Sequence, residues 1–361
     1  MTVQILQGDC LETLKTLPDG CVQTCVTSPP YWGLRDYGIA GQLGMESTPA
    51  DYVDNLVTVF REVWRVMKDD GILWINLGDS YAGSGGAGSW SKRKAGKQEY
   101  AGQRSNVNRT ISRKNRVAGT RRRYGAEGGN HLPAPPGLKP KDLVGIPWRV
   151  AFALQEDGWY LRSDIIWNKP NPMPESVTDR PTKAHEYIFL LAKSEKYYYD
   201  AEAILEECSP NTHARISQDL ANQVGSYRAN GGNKNNGPMK AVVRSSKRKL
   251  ADSGQGKRTA SYETSMCMLV EKRNKRSVWT VNTGSYSGAH FATFPPALIE
   301  PCILAGSRPG DTVLDPFGGS GTTAAVAVKH NRNAILCELN PAYIELMNKR
   351  LAEVQPLLLK G

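Results

Sequence analysis

The stretch TVLDPFGGSGTT, residues 312–323, decides the fold of this 361-residue chain. Its sequence predicts a strand over 312–314, a glycine-rich loop over 315–323 and a helix over 324–329. A glycine-rich turn between a strand and a helix brings backbone N–H groups and the positive end of the helix close to a ligand. The stretch therefore predicts an α/β fold with a ligand site at the end of this strand.

The sequence that follows the loop narrows the kind of ligand. A second strand, 334–337, ends in Glu338, and an acidic residue at that position can bind ribose hydroxyls. Gly319, Gly321 and Ala324 also match the start of a dinucleotide fingerprint, so a nicotinamide enzyme is an alternative. A P-loop is disfavoured because no lysine precedes Thr322. The loop alone leaves the cofactor open.

Strands and helices alternate along the rest of the chain, apart from two polar segments. The helix over 48–68 shows apolar residues at the 3.6-residue period, with Thr48 as its N-cap. We expect a doubly wound, mostly parallel sheet with an antiparallel hairpin, 160–167 and 186–192, at its edge. The remaining predicted elements are strands over 3–6, 21–26 and 72–79 and helices over 10–17, 140–155, 295–305 and 341–354.

Length and cysteine usage limit the class of protein. A chain of 361 residues can form one large α/β domain and a smaller module. Its seven cysteines form no CxxC pair and no Cys/His group at zinc spacing. No apolar run approaches the roughly 20 residues that cross a bilayer, and the N-terminus has no apolar signal region. We expect a soluble, cytoplasmic protein with reduced thiols and no bound metal.

The positive charge is concentrated in two segments. The net charge is +11, yet residues 83–140 contain thirteen Lys or Arg against two Glu, and residues 209–276 contain fourteen against four acids. The remainder of the chain is therefore acidic. Basic blocks of this kind bind phosphate backbones, so the pattern favours a nucleic-acid partner, with a solvated tract as the alternative for either block alone.

A second motif, TSPPY at residues 27–31, follows an apolar run near the N-terminus. Proline fixes φ, removes an N–H and pushes the preceding residue out of the helical region, so the motif predicts a rigid extended loop at a strand tip. Together, TSPPY and the loop DPFGGSGT at 315–322 resemble the signature motifs of the amino-group DNA methyltransferases that use S-adenosylmethionine. The order of the motifs is similar to the β arrangement, a circular permutation of the Rossmann-like methyltransferase sheet.

The resemblance implies a division of the chain and a set of cofactor residues. It places a catalytic half at 1–82, a basic insertion at 83–140, a helix and hairpin at 141–204, a target recognition region at 205–280 and a cofactor half at 281–361. Glu338 then binds the ribose, and Asp9 lies near the adenine, although an N-cap is the alternative role for Asp9. The other implied cofactor residues are Phe291, Phe294, Pro295, Asp315, Phe317, Gly318, Gly319, Ser320, Gly321, Thr322 and Thr323.

The motif at 27–31 suits methyl transfer to an exocyclic amine. The lone pair of such an amine is conjugated into the base, and acceptors at its N–H groups draw it towards a tetrahedral nitrogen. Ser28 Oγ and the Pro29 carbonyl are the candidate acceptors, made rigid by Pro29 and Pro30, and Tyr31 is the candidate for stacking on a flipped base. Candidate DNA-binding residues are Arg121, Arg122, Arg123, Arg244, Lys247, Arg248 and Lys249.

Several functional alternatives stay open on sequence alone. Ser28 before the prolines favours cytosine N4 by family resemblance, with adenine N6 as the alternative. A C5-cytosine enzyme needs a nucleophilic cysteine, and Cys302 stands among apolar residues where a thiol is a buried hydrophobe. A catalytically silent nucleic-acid binder is the more remote hypothesis. Double-stranded DNA is the expected partner, a cognate restriction endonuclease is a possible one, and the oligomeric state is open.

Overall fold

The computed structural model describes residues 1–34, 39, 41–83, 134–135, 137–208, 272–284 and 294–358. They form one large mixed sheet with helices on both faces, together with a small two-stranded ribbon. The strands are β1 Val3–Gln7, β2 Val22–Thr27, β3 Met67–Leu77, β4 Tyr160–Asn168, β5 His185–Ala192, β6 Glu206–Glu207, β7 Lys272–Arg273, β8 Val278–Thr280, β9 Thr312–Asp315 and β10 Asn333–Glu338. The helices are α1 Cys10–Lys15, α2 Pro49–Val66, α3 Ile146–Glu156, α4 Pro296–Gly306, α5 Thr322–Lys329 and α6 Pro341–Leu358.

The sheet contains eight strands in the order β1-β10-β9-β2-β3-β5-β4-β8. Only β5 among them runs antiparallel to its neighbours, β3 and β4. The chain moves outward in opposite directions from the adjacent pair β9 and β2, so the topological switch point lies between these two strands. Ligands of doubly wound sheets bind outside the carboxyl ends of the strands at such a point. This confirms the doubly wound, mostly parallel sheet expected from the sequence.

Two hydrophobic cores cover the two faces of the sheet. Leu73, Ile75 and Leu77 of β3 pack on one face with α1, α2 and α3, whereas Ile72 and Trp74 pack on the other with α4, α5 and α6. Successive side chains of a strand point to opposite faces, so a strand covered on both sides is apolar at nearly every position. No helix among the described residues is long and apolar enough to cross a membrane.

The predicted hairpin of β4 and β5 is present, and one further strand lies outside it. Ile166 of β4 pairs in parallel with Val278 of β8, so β8 forms the outer edge of the sheet. Residues 278–280 lie at the end of the predicted recognition region, yet they extend the main sheet. A three-residue strand carries too little periodicity to be recognised from sequence.

Helix α3 begins at Ile146, six residues later than the predicted start at 140. The preceding residues instead pair with the chain after β3: Ala82 N–H donates to Asp142 O (2.8 Å) and Lys141 N–H donates to Ala82 O (2.7 Å). The Asp79 carboxylate then accepts the N–H of Ile146 (3.1 Å). This pairing holds together the two ends of the predicted basic insertion. Its residues 84–133 lie outside the described residues.

Candidate active site

One cavity of about 330 Å³ opens at the carboxyl ends of β1, β2, β9 and β10. Both sequence motifs contribute to its wall, although they are separated by nearly the whole chain. The predicted site residues that line it are Asp9, Ser28, Pro29, Pro30, Tyr31, Phe294, Phe317, Gly318, Gly319, Ser320, Thr322 and Glu338. The volume is within the usual range for small-molecule sites.

The glycine loop is held against β10 by two hydrogen bonds. Gly318 N–H donates to Cys337 O (2.9 Å), and Gly319 N–H donates to Glu338 Oε2 (2.8 Å). A Cβ added at Gly318 would lie 2.8 Å from Met347 Cε of α6 and 3.1 Å from Leu336 Cβ of β10, so the loop packs closely on both elements. Burial raises the pKa of the Glu338 carboxyl. The loop and the acid at the end of β10 therefore form one rigid wall of the cavity.

Asp315 connects the two motifs below the cavity floor. Its buried carboxylate accepts hydrogen bonds from Thr27 Oγ1 (2.6 Å) and Thr323 Oγ1 (2.6 Å), and from the N–H of Phe317 (3.1 Å). Burial raises the pKa of this carboxyl above its ordinary value. Asp315 and Thr323 are not among the residues that line the cavity, and neither are Gly321 and Pro295. Asp315 thus joins strands β2 and β9 rather than facing a ligand.

Asp9 caps α1 and lines the cavity at the same time. Its Oδ1 accepts the N–H groups of Leu11 (2.9 Å) and Glu12 (3.3 Å), which satisfies two free donors at the helix start. The N-cap role considered from the sequence is therefore present. The adenine contact implied by the resemblance stays a prediction.

The loop at 27–31 is fixed from two sides. The Pro30 carbonyl accepts the hydroxyl of Tyr52 from α2 (2.8 Å), and Pro29 is buried. The ring of Tyr31 lies against Gly78, where an added Cβ would come within 2.5 Å of Tyr31 Cε2. These contacts position the Ser28 side chain and the Tyr31 ring at the wall of the cavity.

A polar network lies beside this loop, and Glu186, one of its members, also lines the cavity. The Tyr31 hydroxyl is 2.7 Å from Glu186 Oε2 and 3.1 Å from Asn76 Oδ1, and Ser28 Oγ is 3.5 Å from Asn76 Oδ1. Lys169 forms an ion pair with the other oxygen of Glu186, and both side chains are largely buried. Burial first, and the Glu186 charge second, raise the pKa of Tyr31 well above its ordinary value. Tyr31 therefore keeps its proton at neutral pH.

Three side chains of this region were not predicted from the sequence. Asn76 is a polar residue within the buried strand β3, and Glu186 is a charged residue near the start of the apolar strand β5; both are signals that sequence inspection could have used. Arg350 of α6 donates from Nη1 to Ser320 Oγ (3.1 Å) and Thr322 Oγ1 (2.7 Å), which ties the glycine loop to the last helix. No local pattern marked Arg350.

The environment of Cys302 is not that of a nucleophilic cysteine. It is buried in the middle of α4, and its Sγ is 3.8 Å from the carbonyl of Leu298 one turn earlier. Burial raises the pKa of this thiol, whereas a nucleophilic cysteine needs a lowered one. The thiol is not among the cavity-lining groups, and a C5-cytosine mechanism has no support from it.

Some predicted site residues cannot be compared with the structure. They are Phe291, Arg121, Arg122, Arg123, Arg244, Lys247, Arg248 and Lys249, and they lie outside the described residues. Within the described part of the chain, no group of three or more His, Cys, Asp or Glu side chains could hold a metal ion.

Two solved structures share this fold. The cytosine-N4-specific PvuII DNA methyltransferase aligns with a TM-score of 0.55 at 18% identity, over 97% of this chain and 86% of that chain. The putative DNA modification methylase TTHA0409 of Thermus thermophilus, solved with S-adenosyl-L-methionine, aligns with a TM-score of 0.51 at 21% identity, over 99% of this chain and 97% of that chain. The fold is thus that of the Rossmann-like methyltransferases.

Sequence comparison defines the family. Residues 22–349 match the family model described as DNA methylase. The chain is 44% identical over 347 residues to the Type II methyltransferase M.Cfr9I of Citrobacter freundii, covering 96% of this chain and 87% of that protein. M.SmaI of Serratia marcescens, also a Type II methyltransferase, is 42% identical over 348 residues, covering 96% and 90%. The chain therefore belongs to the DNA methylase family of N6 and N4 methyltransferases, which confirms the resemblance noted from its two motifs.

Proposed function

We propose that this DNA methyltransferase transfers a methyl group from S-adenosylmethionine to the exocyclic N4 of a flipped cytosine. The observation that carries the proposal is the shared cavity, which brings the Ser28 loop and the glycine loop to one place. Neither a nicotinamide enzyme nor a silent binder accounts for a Ser-Pro-Pro-Tyr loop fixed beside a cofactor-type loop.

The cavity residues fit the parts of S-adenosylmethionine. Each carboxylate oxygen of Glu338 accepts one backbone N–H group, Oε2 from Gly319 and Oε1 from Asn340, at 2.8 Å each. The second lone pair of each oxygen can therefore accept a ribose hydroxyl. The loop at 316–320 and Phe294 then surround the methionine part, and Asp9 lies near the adenine. When bound, S-adenosylmethionine supplies an electrophilic methyl group on a positively charged sulfur.

Ser28 and Pro29 act on the target amine. The Ser28 hydroxyl and the Pro29 carbonyl accept its two hydrogens, which draws the nitrogen towards a tetrahedral form and exposes its lone pair. Acceptors held rigid in advance stabilise the transition state at little reorganisation cost. The Tyr31 ring stacks on the flipped base and offsets part of the cost of unstacking it from the duplex. Alignment within the cavity supplies the remaining rate gain.

Cytosine N4 is the proposed target because serine precedes the two prolines, as is usual in the N4 enzymes that the chain resembles. Adenine N6 is the alternative, since a serine hydroxyl also accepts a hydrogen bond from the adenine amine. The basic segments at 83–140 and 209–276 provide the affinity for the DNA backbone. A restriction endonuclease with the same recognition sequence is the expected companion.

Mass spectrometry of nucleosides tests the proposal directly. Duplex DNA is incubated with the full chain and isotopically labelled S-adenosylmethionine, then digested; labelled N4-methylcytosine is expected. Labelled N6-methyladenine instead would contradict the target assignment and keep the cofactor. Ser28→Ala should lose most methyl transfer, whereas the control Ser47→Ala, at an exposed serine outside the cavity, should keep it. Full activity of Ser28→Ala would remove serine from the mechanism.

A further inference from the structure

The orientation of the Asn76 side chain is determined by its neighbours. Its Nδ2 lies 3.2 Å from Glu186 Oε2 and 3.1 Å from the Tyr187 carbonyl, and both of these oxygens can only accept. The NH₂ group therefore faces them, and Asn76 Oδ1 is left to face the hydroxyls of Ser28 and Tyr31. The Glu186 carboxylate and the Tyr187 carbonyl together thus set the direction of this amide.

The orientation of Asn76 also influences where the hydroxyl hydrogens of Tyr31 and Ser28 point. The Tyr31 hydroxyl has Glu186 Oε2 at 2.7 Å and Asn76 Oδ1 at 3.1 Å, so its single hydrogen is used on an acceptor within the network. The acceptors within reach of the Ser28 hydrogen are Asn76 Oδ1 (3.5 Å) and Tyr31 Oη (3.4 Å), both long for O–H···O contacts. A Ser28 hydrogen turned to either of these acceptors leaves the lone pairs of Ser28 for a base in the cavity.

We propose that Glu186 is a positioning residue that makes Ser28 an acceptor and so selects an amino group over a keto oxygen at the target position. The inference rests on the proposed function, because it concerns the base that Ser28 meets. A serine hydroxyl alone is ambivalent, since it donates as well as accepts. Cytosine presents an amine at C4, whereas uracil and thymine present an oxygen there. When the Ser28 hydrogen points into the network, the lone pairs of Ser28 Oγ face the lone pairs of the oxygen at C4 and repel them.

The Lys169 ion pair makes the role of Glu186 testable by one substitution. Lys169 Nζ binds Glu186 Oε1 and lies 4.3 Å from the centroid of the Trp167 ring. In Glu186→Gln the amide oxygen stays with the Lys169 ammonium, so the NH₂ group turns towards Tyr31 and Asn76. The Asn76 NH₂ stays on the Tyr187 carbonyl, and the Tyr31 hydroxyl, which now accepts from the new amide, turns its hydrogen to Asn76 Oδ1. That acceptor is then occupied, and Ser28 regains a hydrogen to donate into the cavity.

The experiment compares Glu186→Gln with wild type on two DNA duplexes, one with the target cytosine and one with uracil in its place. Single-turnover methyl transfer is measured on the first, and competition binding gives the affinity ratio of the two. Methyl transfer should fall at least about tenfold, and the ratio should shift towards uracil by about tenfold, as expected for the net value of one hydrogen bond. Glu175→Gln is the matched control, because Glu175 forms an ion pair with Arg180 in the connection just before β5 and does not line the cavity.

The outcomes distinguish a failure of the Glu186 inference from a failure of the proposed function. An unchanged cytosine-to-uracil ratio in folded Glu186→Gln, whether or not activity falls, overturns the inference, since a merely structural role lowers activity without changing base preference. Glu186→Ala is the second variant in case Glu186→Gln unfolds; it removes one acceptor of the Tyr31 hydrogen, which then turns to Asn76 Oδ1, and it should shift the ratio in the same direction. Wild type that methylates no duplex refutes the proposed function itself. If adenine is the methylated base, the same comparison uses adenine and hypoxanthine.

Discussion

Replacing Asp315 with alanine tests the connection beneath the two motifs. The substitution removes the carboxylate that accepts hydrogen bonds from Thr27, Thr323 and the N–H of Phe317. Thr323 Oγ1 keeps an alternative acceptor, the Val26 carbonyl at 3.4 Å. The Thr27 hydroxyl and the Phe317 N–H have no comparable replacement among their described contacts.

The magnitude follows from those two donors. A buried polar group without a partner costs about 1–3 kcal/mol. Two such groups, less the gain from no longer burying a carboxylate, give an expected loss of about 2–4 kcal/mol in the free energy of unfolding. Asp315→Asn is the matched control, because the amide keeps an oxygen for Thr27 and Phe317. Its NH₂ donates to the Thr323 hydroxyl.

Urea unfolding followed by circular dichroism measures both variants without cofactor. A change below about 0.5 kcal/mol for Asp315→Ala, the usual range for surface substitutions, would refute the reasoning. The pH dependence gives a second check. Because burial raises the pKa of Asp315, the folded state binds the proton more tightly. Wild type should gain stability relative to Asp315→Asn as pH falls towards about 4, and lose it as pH rises through the raised pKa.

Three further predictions concern the cofactor, the catalytic loop and the DNA. Arg350→Met should weaken S-adenosylmethionine binding about tenfold in titration calorimetry, because the glycine loop loses charged hydrogen bonds, whereas the neighbouring control Lys349→Met should bind as wild type. Gly78→Ala should lower methyl transfer with little change in cofactor affinity, since its Cβ would meet the Tyr31 ring at 2.5 Å; equal activity would show that the ring position is unimportant. Neutralising the three arginines at 121–123 should weaken binding to all DNA sequences and flatten its salt dependence, and an altered site preference instead would mean that they read bases.

The features that the sequence predicted well depend on local patterns. The glycine loop, the strand before it and the helix after it lie within one continuous stretch, and α5 begins within two residues of the expected start. Alternation of strands and helices then fixes a parallel sheet whose strand ends share an edge. The loop at 27–31 and the loop at 315–323 are assigned to one site by their resemblance to the two signature motifs of the amino-group DNA methyltransferases, and this shared edge explains why they meet.

The features that the sequence did not predict depend on contacts between distant elements. Glu186 lies at the site only because β5 runs antiparallel, which brings its first residues to the edge where β2 and β3 end. Charged residues are common at the exposed starts of strands, so the sequence around Glu186 does not mark it as a site residue. Strand β8 joins the sheet because it pairs with β4. Helix α3 begins later than expected because the residues before it pair with the chain around Ala82. None of these interactions leaves a periodic signal in the sequence.

The pairing of residues 80–82 with 141–144 has a consequence for how such enzymes diversify. The chain leaves the sheet and returns to it at nearly the same point, with Ala82 and Lys141 joined by a hydrogen bond of 2.7 Å. The entropy of closing a loop grows only with the logarithm of its length, by about 0.6 kcal/mol per doubling. Segments of very different size can therefore be exchanged at this point without disturbing the catalytic scaffold. The junction is a natural place to graft a new DNA-contacting module.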